Sequence, residues 1–280
     1  MASPAFRMKA PFSETDPLIV IGMHRSGTSF IARLLSELGV HVGRALDSHH
    51  ESICFKRVNR QLLWDQGAHW ARPEPFLRRL ADPQFVREAA QRAVALLERW
   101  GDLYGEVAEG EPWGWKDPRN TLTLPVWLEI FPSARILHVV RHGIDVALSL
   151  YRREWRRYLR SSQERRMFPP TVETGYRLWR TYVEVGLRLE QEAPGAKVMR
   201  LRYEDVLAHP QRSIASLIRF VGLEVDVETA SALVSRITRR PTRPSPWEVL
   251  WVRLLLKLGL IDPALLIRLG YGKTWPDERR

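Results

Sequence analysis

The stretch IGMHRSGTSF, residues 21–30, decides how this chain begins to fold. It follows the apolar run LIVI at 18–21, whose continuous hydrophobicity is typical of a strand buried in a parallel sheet. Gly39 can end the helix that follows. The apolar residues of that helix recur on one face, at Ile31, Leu34, Leu35 and Leu38. A strand, a glycine turn and a helix in this order predict the opening of a βαβ unit.

The glycine turn has the outline of a phosphate-binding loop. Gly22, four residues and Gly27 match the pattern G-x-x-x-x-G-K-[ST], but Thr28 occupies the lysine position and Ser29 follows it. In nucleoside triphosphatases that lysine reaches the β and γ phosphates, so this loop does not predict triphosphate hydrolysis. Its backbone N–H groups, the helix start and the charge of Arg25 still predict an anion site.

The segment GMHRSGTS, residues 22–29, resembles the 5′-phosphosulfate loop of the sulfotransferases, enzymes that use 3′-phosphoadenylyl sulfate (PAPS). Arg25 occupies the position of the basic loop residue, as in the bacterial and tyrosylprotein branches. The resemblance implies that Arg25 is catalytic, because it stabilises the leaving phosphate. It implies that the donor is also bound by Gly22, Ser26, Gly27, Thr28 and Ser29.

The resemblance also implies a fold and a donor. The fold is α/β, with a parallel sheet flanked by helices in a P-loop NTPase-like arrangement. The sulfuryl donor is PAPS, the product is 3′,5′-adenosine bisphosphate (PAP), and no metal is expected. Similar stretches at 113–119 and 201–224 extend the resemblance over residues 17–225.

The sulfotransferases carry a second motif, for the 3′-phosphate of the donor. It is an arginine at a strand end and a serine eight residues later on the following helix. In VVRHGIDVALSL, residues 139–150, Arg141 closes an apolar run and Ser149 stands eight positions on. Arginine supplies a planar fork for phosphate oxygens, and a serine on the second helical turn points back toward the same oxygens.

A general base is expected just before the second helix. Related bacterial enzymes carry a glutamate eight residues before an asparagine, and Glu51 stands eight before Asn59. The resemblance makes Glu51 the first candidate for the base, and His50 its rival, because the cytosolic branch uses histidine. From the residues alone, Glu51 could equally be a first-turn carboxylate favoured by the helix dipole. Lys116 and Arg119 are further candidates, adding charge near the sulfate or closing the loop.

Strands and helices alternate along the remaining chain. The pattern predicts strands within 113–120, 134–143 and 196–206. It predicts helices over 52–66, 83–100, 175–192, 210–221 and 227–236, and a long helix from Ile144. This alternation predicts a parallel sheet wrapped by helices on both faces. His142, which follows the strand at 134–143, is expected at the solvent edge of its turn.

Composition limits the class of protein. A length of 280 residues suits one large α/β domain, expected over 17–280 after a disordered arm at 1–16. The lone Cys54 excludes an intramolecular disulfide and fits a reducing compartment, so a cytoplasmic location is expected. No stretch reaches the roughly 20 apolar residues that span a bilayer. The net charge is +11, and 37 arginines fit either anion handling or a bias in composition.

Two segments leave alternatives open. Arginines interleaved with aromatic residues form one face of the predicted long helix, at Arg152, Arg153, Arg156, Arg157 and Arg160. They suit a polyanion, a membrane surface or a solvated helix face. The apolar helical segment at 247–272 can pack on the domain, form a dimer contact or lie on a membrane. Adjacent acidic and histidine residues at 47–51 splay apart, so no metal site is expected there.

The expected activity is transfer of a sulfuryl group from PAPS to a hydroxyl or an amine. The acceptor is expected to be a carbohydrate, a glycolipid or a small metabolite. No nucleic-acid partner is expected, and peripheral membrane contact stays open. The sequence leaves the oligomeric state open. Two alternatives stay open beside it: a small-molecule kinase with a degenerate P-loop, and a non-catalytic protein that binds polyanions or membranes.

Overall fold

Four parallel strands form the central sheet. The structure, a computed structural model, describes residues 15–160, 171–192, 195–237, 244–272 and 275, with side chains for all of these except 157–160. The strands are β1 (Leu18–Ile21), β2 (Gly114–Lys116), β3 (Arg135–Val140) and β4 (Lys197–Arg202). They pair in the order β2-β1-β3-β4, and every pairing is parallel. The predicted parallel sheet is confirmed.

Helices cover both faces of this sheet. The helices before β3 are α1 (Thr28–Glu37), α2 (Ile53–Trp64), α3 (Glu74–Arg79), α4 (Pro83–Trp100) and α5 (Asn120–Ile130), with a short 3-10 helix at Gly101–Leu103. The helices after β3 are α6 (Gly143–Arg160), α7 (Val172–Glu192), α8 (Tyr203–Ala208), α9 (Pro210–Val221), α10 (Val227–Ile237), α11 (Pro246–Lys257) and α12 (Ala264–Arg268).

The central strand β1 is buried on both sides. Leu18 and Val20 face a core formed with α1, α9 and α10. Ile19 and Ile21 point the other way, into a larger core formed with α2, α4, α5, α6, α7 and the C-terminal helices. Successive side chains of a strand point to opposite faces, so a strand covered on both sides needs an unbroken apolar run.

The strand order places a crevice beside the first glycine turn. From β1 the chain moves to β2 on one side, and it then crosses to β3 on the other. The loops that leave β1 and β3 therefore diverge at the carboxyl end of the sheet, where ligands bind in open α/β folds. Both sequence motifs lie at this edge, since residues 22–27 follow β1 and Arg141 follows β3.

Three predictions about local structure were wrong or incomplete. The short helix α3 and the helix α5 were not predicted. Most residues of α5 are buried, on all its sides, so it lacks an amphipathic period. The strand predicted within 196–206 ends at Arg202, and α8 begins at Tyr203. Glu204 and Asp205 lie in the first turn of α8, where acidic side chains favour a helix.

His142 is not at the solvent edge of its turn. It is 1% exposed, and its ring packs edge-on against Tyr271, with 4.9 Å between the ring centroids. Its backbone N–H donates to Glu204 Oε1 at 2.9 Å. The C-terminal segment therefore covers this turn.

Candidate active site

Two glycines let the loop after β1 lie against neighbouring backbone and side chains. Gly22 has φ of 139°, and a Cβ there would lie 2.4 Å from the carbonyl oxygen of Val139. Gly27 has φ of 92°, and a Cβ there would lie 2.4 Å from Cδ2 of Tyr203. Any side chain at either position would force the loop away from β3 or from α8, so both positions need glycine.

Arg25, in the middle of the loop, has a backbone conformation unusual for a residue with a side chain. Its φ is 74°, in the left-handed region, which costs about 1–2 kcal/mol. Its Nε donates to Ser149 Oγ on α6 at 2.9 Å. Strained residues of this kind cluster at functional sites, and here the strain directs an exposed guanidinium toward the helix of the second motif.

Arg141 brings the second motif to the same place. Its Nη1 donates to the carbonyl oxygen of Arg25 at 3.3 Å, and its Nη2 lies 3.7 Å from Asp145 Oδ2. The guanidinium carbon lies 4.9 Å from the centre of the Tyr203 ring. Its Nε is buried and has no hydrogen-bond partner among the described residues. The two motifs, with Ser149, thus meet at one edge of the sheet.

The start of α1 adds donors to this edge. Gly27 stands at the N-cap and no side chain caps the helix, so the first N–H groups of α1 have no intrahelical partner. The hydroxyl of Ser26 is buried without a hydrogen-bond partner among the described residues. Thr28 is buried and Ser29 is half-buried beside it. An anion at this helix start can accept hydrogen bonds from such donors.

A buried ion-pair network lies behind the loop. Lys116, at the end of β2, donates to Ser29 Oγ at 3.1 Å and to Glu51 Oε1 at 3.1 Å. The other carboxylate oxygen of Glu51 lies 3.2 Å from Lys56 Nζ and 3.7 Å from Arg119 Nη1. Glu51 is 3% exposed and Lys116 is 2% exposed. Sequence motifs did not predict that Lys116 links the loop to the candidate base.

These contacts set the charge of the candidate base. Burial raises the pKa of Glu51, but the positive charges of Lys116, Arg119 and Lys56 outweigh it and hold that pKa below 4.5. Burial lowers the pKa of Lys116, and the pairing with Glu51 opposes this only in part. Burial also raises the pKa of the Asp117 carboxyl, which accepts from Arg119 Nη1 at 2.8 Å. Glu51 is therefore ionised at neutral pH.

The rival base, His50, is held by other contacts. His50 is half-buried and has φ of 54°. Burial lowers its pKa, and so does the charge of Arg33 on α1. Its backbone N–H donates to the carbonyl oxygen of Asp47 at 3.0 Å. His50 lies next to Glu51 in sequence, and the charge of Lys116 also lowers its pKa.

Comparison with known proteins assigns the chain to a family. The sequence profile described as "Sulfotransferase family" matches residues 17–227, about three quarters of the chain. The chain belongs to the sulfotransferase family. It is therefore a transferase by descent, and the resemblance noted in its two motifs is confirmed at the level of the family. No curated protein sequence matches this sulfotransferase significantly.

A solved structure agrees with the fold, and a second is less similar. The sulfotransferase domain of the olefin synthase from Synechococcus PCC 7002 is 20% identical, with a TM-score of 0.52 over 97% of this chain and 92% of that domain. A sulfotransferase from Mycobacterium avium is 16% identical, with a TM-score of 0.48 over 81% of this chain and 69% of that one. The Synechococcus likeness supports the P-loop-like sulfotransferase fold.

His24 is a buried group of this sulfotransferase that the motifs did not single out. Its ring packs edge-on against Trp70, with 4.8 Å between the ring centroids. Burial, followed by the charge of Arg119, lowers its pKa well below 6.5. Its Nε2 is buried without a hydrogen-bond partner among the described residues. The ring is therefore neutral. Its position in the loop, directly before Arg25, was the one signal in the sequence that could have drawn attention to it.

Asp47 anchors the segment that carries Glu51. Its Oδ1 accepts the backbone N–H groups of His49 at 2.7 Å and Glu51 at 3.0 Å, and its Oδ2 pairs with Lys56. Burial raises the pKa of Asp47, but Lys56 and these N–H groups lower it to about 2. Within the described ranges, no group of three or more His, Cys, Asp or Glu side chains could hold a metal ion.

The first arginines of the stripe form contacts within the chain. Arg152 forms a bidentate pair with Glu248 of α11, at 2.7 and 2.5 Å. Arg153 pairs with Glu154 at 2.6 Å and lies over the Trp70 ring at 5.2 Å. Arg156 is exposed. The side chains predicted to continue the stripe, at 157 and 160, lie outside the described residues.

Proposed function

We propose that this sulfotransferase moves a sulfuryl group from PAPS to a hydroxyl or an amine of an acceptor. The observation that carries the proposal is the meeting of Arg25, Arg141 and Ser149 at the crevice beside β1. PAPS carries a 5′-phosphosulfate and a 3′-phosphate on one nucleoside, so it needs two anion sites close together. The ends of β1 and β3 supply two such sites.

The residues at the crevice fit such a donor. The buried hydroxyl of Ser26 and the buried Nε of Arg141 have no partner among the described residues, and phosphate oxygens can accept from both. We assign the 5′-phosphosulfate to Arg25 and to the backbone and hydroxyls of residues 26–29, with Gly22 shaping the loop. We assign the 3′-phosphate to Arg141 and Ser149.

The proposed chemistry is an in-line displacement at sulfur. The acceptor oxygen forms a bond to sulfur while the bond from sulfur to the bridging phosphate oxygen breaks. Arg25 and the N–H groups at the start of α1 stabilise the negative charge that develops on the departing PAP. Glu51 takes the proton of the acceptor hydroxyl, and His50 is the alternative base. Lys116 and Arg119 hold the Glu51 carboxylate in place.

Family membership weakens the two other interpretations. A small-molecule kinase of this fold needs a lysine that reaches the β and γ phosphates, and Thr28 stands where that lysine is expected. Membership of a transferase family argues against a non-catalytic polyanion binder. The acceptor is proposed as a carbohydrate, a glycolipid or a small metabolite, and the protein as cytoplasmic.

The donor is tested by calorimetric titration with PAP, with ATP and magnesium as the comparison. We expect saturable binding of PAP that ATP does not match, and transfer of labelled sulfate from PAPS to a component of a native extract, identified by mass. Tight ATP binding without PAP binding would refute the proposal.

The base is tested with Glu51→Gln, and Glu98→Gln on the exposed side of α4 is the control. We expect Glu51→Gln to bind PAP normally and to lower turnover by about 10²–10⁴-fold. Because the pKa of Glu51 lies below 4.5, wild-type kcat should be flat from about pH 6 to about pH 8. Full turnover by Glu51→Gln, or a kcat that rises around the pKa of a histidine, would remove Glu51 as the base.

A further inference from the structure

Large exposed apolar side chains are concentrated in one C-terminal segment. Among the described residues, eight large hydrophobic side chains are strongly exposed, and seven of them lie between 247 and 267. Trp247 is 79% exposed and Trp251 is 53% exposed. Single exposed apolar residues are ordinary, but a concentration of this kind marks an interaction surface.

Five of these side chains form one stripe along α11 and its C-cap residue. They follow the spacing i, i+3, i+4, i+7 and i+11, at Trp247, Leu250, Trp251, Leu254 and Leu258. We call this stripe the tail face. The opposite side of α11 is also apolar, and there Val252 and Leu255 are buried in the main core. The helix is thus seated on the protein by one apolar side and presents a second one outward.

The helix that carries the tail face is fixed to the site helix. Arg152 of α6 holds both carboxylate oxygens of Glu248, and Ser245 completes a capping box with Glu248 at the start of α11. Charge-assisted bidentate pairs hold geometry well. The tail face therefore remains on the outside while α11 stays packed, and α6 leads from it to Ser149.

The charges beside the tail face indicate which kind of partner it binds. Arg253 and Lys257, one helical turn apart, are exposed along one border of the stripe. Glu248 is the single acidic residue of α11, and its oxygens are taken by Arg152 and the Ser245 N–H. A second copy of the chain offers no acidic group of α11 to pair with this border. An anionic lipid surface offers many, beside an apolar layer for tryptophan and leucine.

We propose that the tail face docks on an anionic lipid bilayer, with the tryptophans at the headgroup boundary and the basic border against acidic headgroups. The contact is peripheral, and within the described ranges no helix is long and apolar enough to cross a membrane. The proposal does not depend on the identity of the sulfuryl donor. It deepens the proposed function by favouring an acceptor that is reached at a lipid surface.

The test is co-sedimentation of the full chain with vesicles of phosphatidylcholine alone or mixed with phosphatidylglycerol. We expect binding to the mixed vesicles that weakens with added salt. The pair Arg253→Gln and Lys257→Gln should weaken it by roughly 20-fold or more. The pair Trp247→Ala and Trp251→Ala should weaken it by about tenfold or more. Because these side chains are exposed, the variants should keep the melting temperature of the wild type.

Two substitutions elsewhere serve as matched controls. Trp64→Ala removes a tryptophan that is 71% exposed on α2, and Arg180→Gln removes an exposed arginine on α7. Both should bind the mixed vesicles as the wild type does. Equal losses in the controls, no binding to mixed vesicles, or loss with the charge variants alone would each overturn the proposal. A dimer in light scattering that the tryptophan variants abolish, without vesicle binding, would assign the face to a second copy.

Discussion

Replacing Arg141 with alanine tests whether the end of β3 holds the 3′-phosphate of the donor. Among the described residues, the guanidinium makes a 3.3 Å hydrogen bond to Arg25, a 3.7 Å ion pair with Asp145 and a contact over the Tyr203 ring, and its Nε has no hydrogen-bond partner. A phosphate would accept charge-assisted hydrogen bonds of about 1.5–3 kcal/mol each from it. Allowing for the contacts given up, we expect a loss of about 2–3 kcal/mol, roughly 30- to 150-fold in Kd.

The assay is calorimetric titration with two ligands, PAP and 5′-AMP, which lacks the 3′-phosphate. For Arg141→Ala we expect the roughly 30- to 150-fold loss with PAP and less than about a twofold change with 5′-AMP. Arg180→Ala on α7 should leave both affinities unchanged, because its exposed side chain pairs with Glu184 one turn along α7. The difference between the affinity losses for PAP and 5′-AMP separates the contribution of the 3′-phosphate from any general effect on the site.

Equal losses for PAP and 5′-AMP would refute this reasoning. They would show that Arg141 supports the loop through the carbonyl oxygen of Arg25 and does not read the 3′-phosphate. Folding is checked by the melting temperature. Loss of the stacking over Tyr203 costs about 0.5–1 kcal/mol, which lowers Tm by about 1–2 °C in a chain of this size.

Three further predictions concern ionisable groups in and behind the loop. Lys116→Met leaves the buried Glu51 carboxylate with two cations. We therefore expect the free energy of unfolding in urea to fall by about 2–3 kcal/mol. An unchanged free energy of unfolding would contradict a buried ion pair. The pKa of Asp47 lies at about 2 in the folded protein against 3.8 ordinarily, so its carboxylate stabilises the fold above pH 3.8 and loses that effect as pH falls toward 2. Asp47→Asn should therefore cost about 1 kcal/mol at neutral pH, discounted for solvent screening, and progressively less in acid-side urea titrations. The pKa of His24 is lowered below 6.5, so the unfolded chain binds the extra proton and wild-type stability falls as pH drops below 6.5. The free energy of unfolding of His24→Leu should therefore depend less on pH in this range. Parallel pH profiles for the two proteins would contradict a neutral buried ring.

The strand–loop–helix opening and the proximity of the two motifs could be predicted from the sequence. Continuous hydrophobicity at 18–21 and a helical period after Thr28 are local signals, and β1 and α1 follow them closely. Because parallel strands end at the same edge of a sheet, motifs that each follow a strand come together there. Arg141 lies against Arg25 for that reason.

The partners of Glu51 could not be predicted in the same way. Its contacts with Lys116 and Arg119 join segments more than sixty residues apart, and no periodic signal encodes such a pairing. The burial of His142 depends on Tyr271 near the end of the chain. The helix α5 escaped prediction because burial all round removes the amphipathic pattern on which such predictions depend.

The charges at the site divide into two groups. Lys116 and Arg119 are buried, and they are matched by Glu51 and Asp117. Buried charges persist only when they are paired, so this group adds little net attraction for a ligand. Arg25 is exposed and reaches the crevice, where it can attract the anionic donor. We therefore expect donor binding and the position of the candidate base to depend on different residues.

Lys116 connects the loop after β1 to the candidate base, because its ammonium touches both Ser29 and the carboxylate of Glu51. If the loop moves when the donor binds, the Ser29 hydroxyl moves with it, and Lys116 transmits that displacement to the base. A rigid site would give variants of Arg141 that alter only binding and variants of Glu51 that alter only turnover. If Arg141→Ala also lowers turnover at saturating donor, the added effect should disappear once Lys116 is replaced, because the physical link between the loop and Glu51 has then been removed.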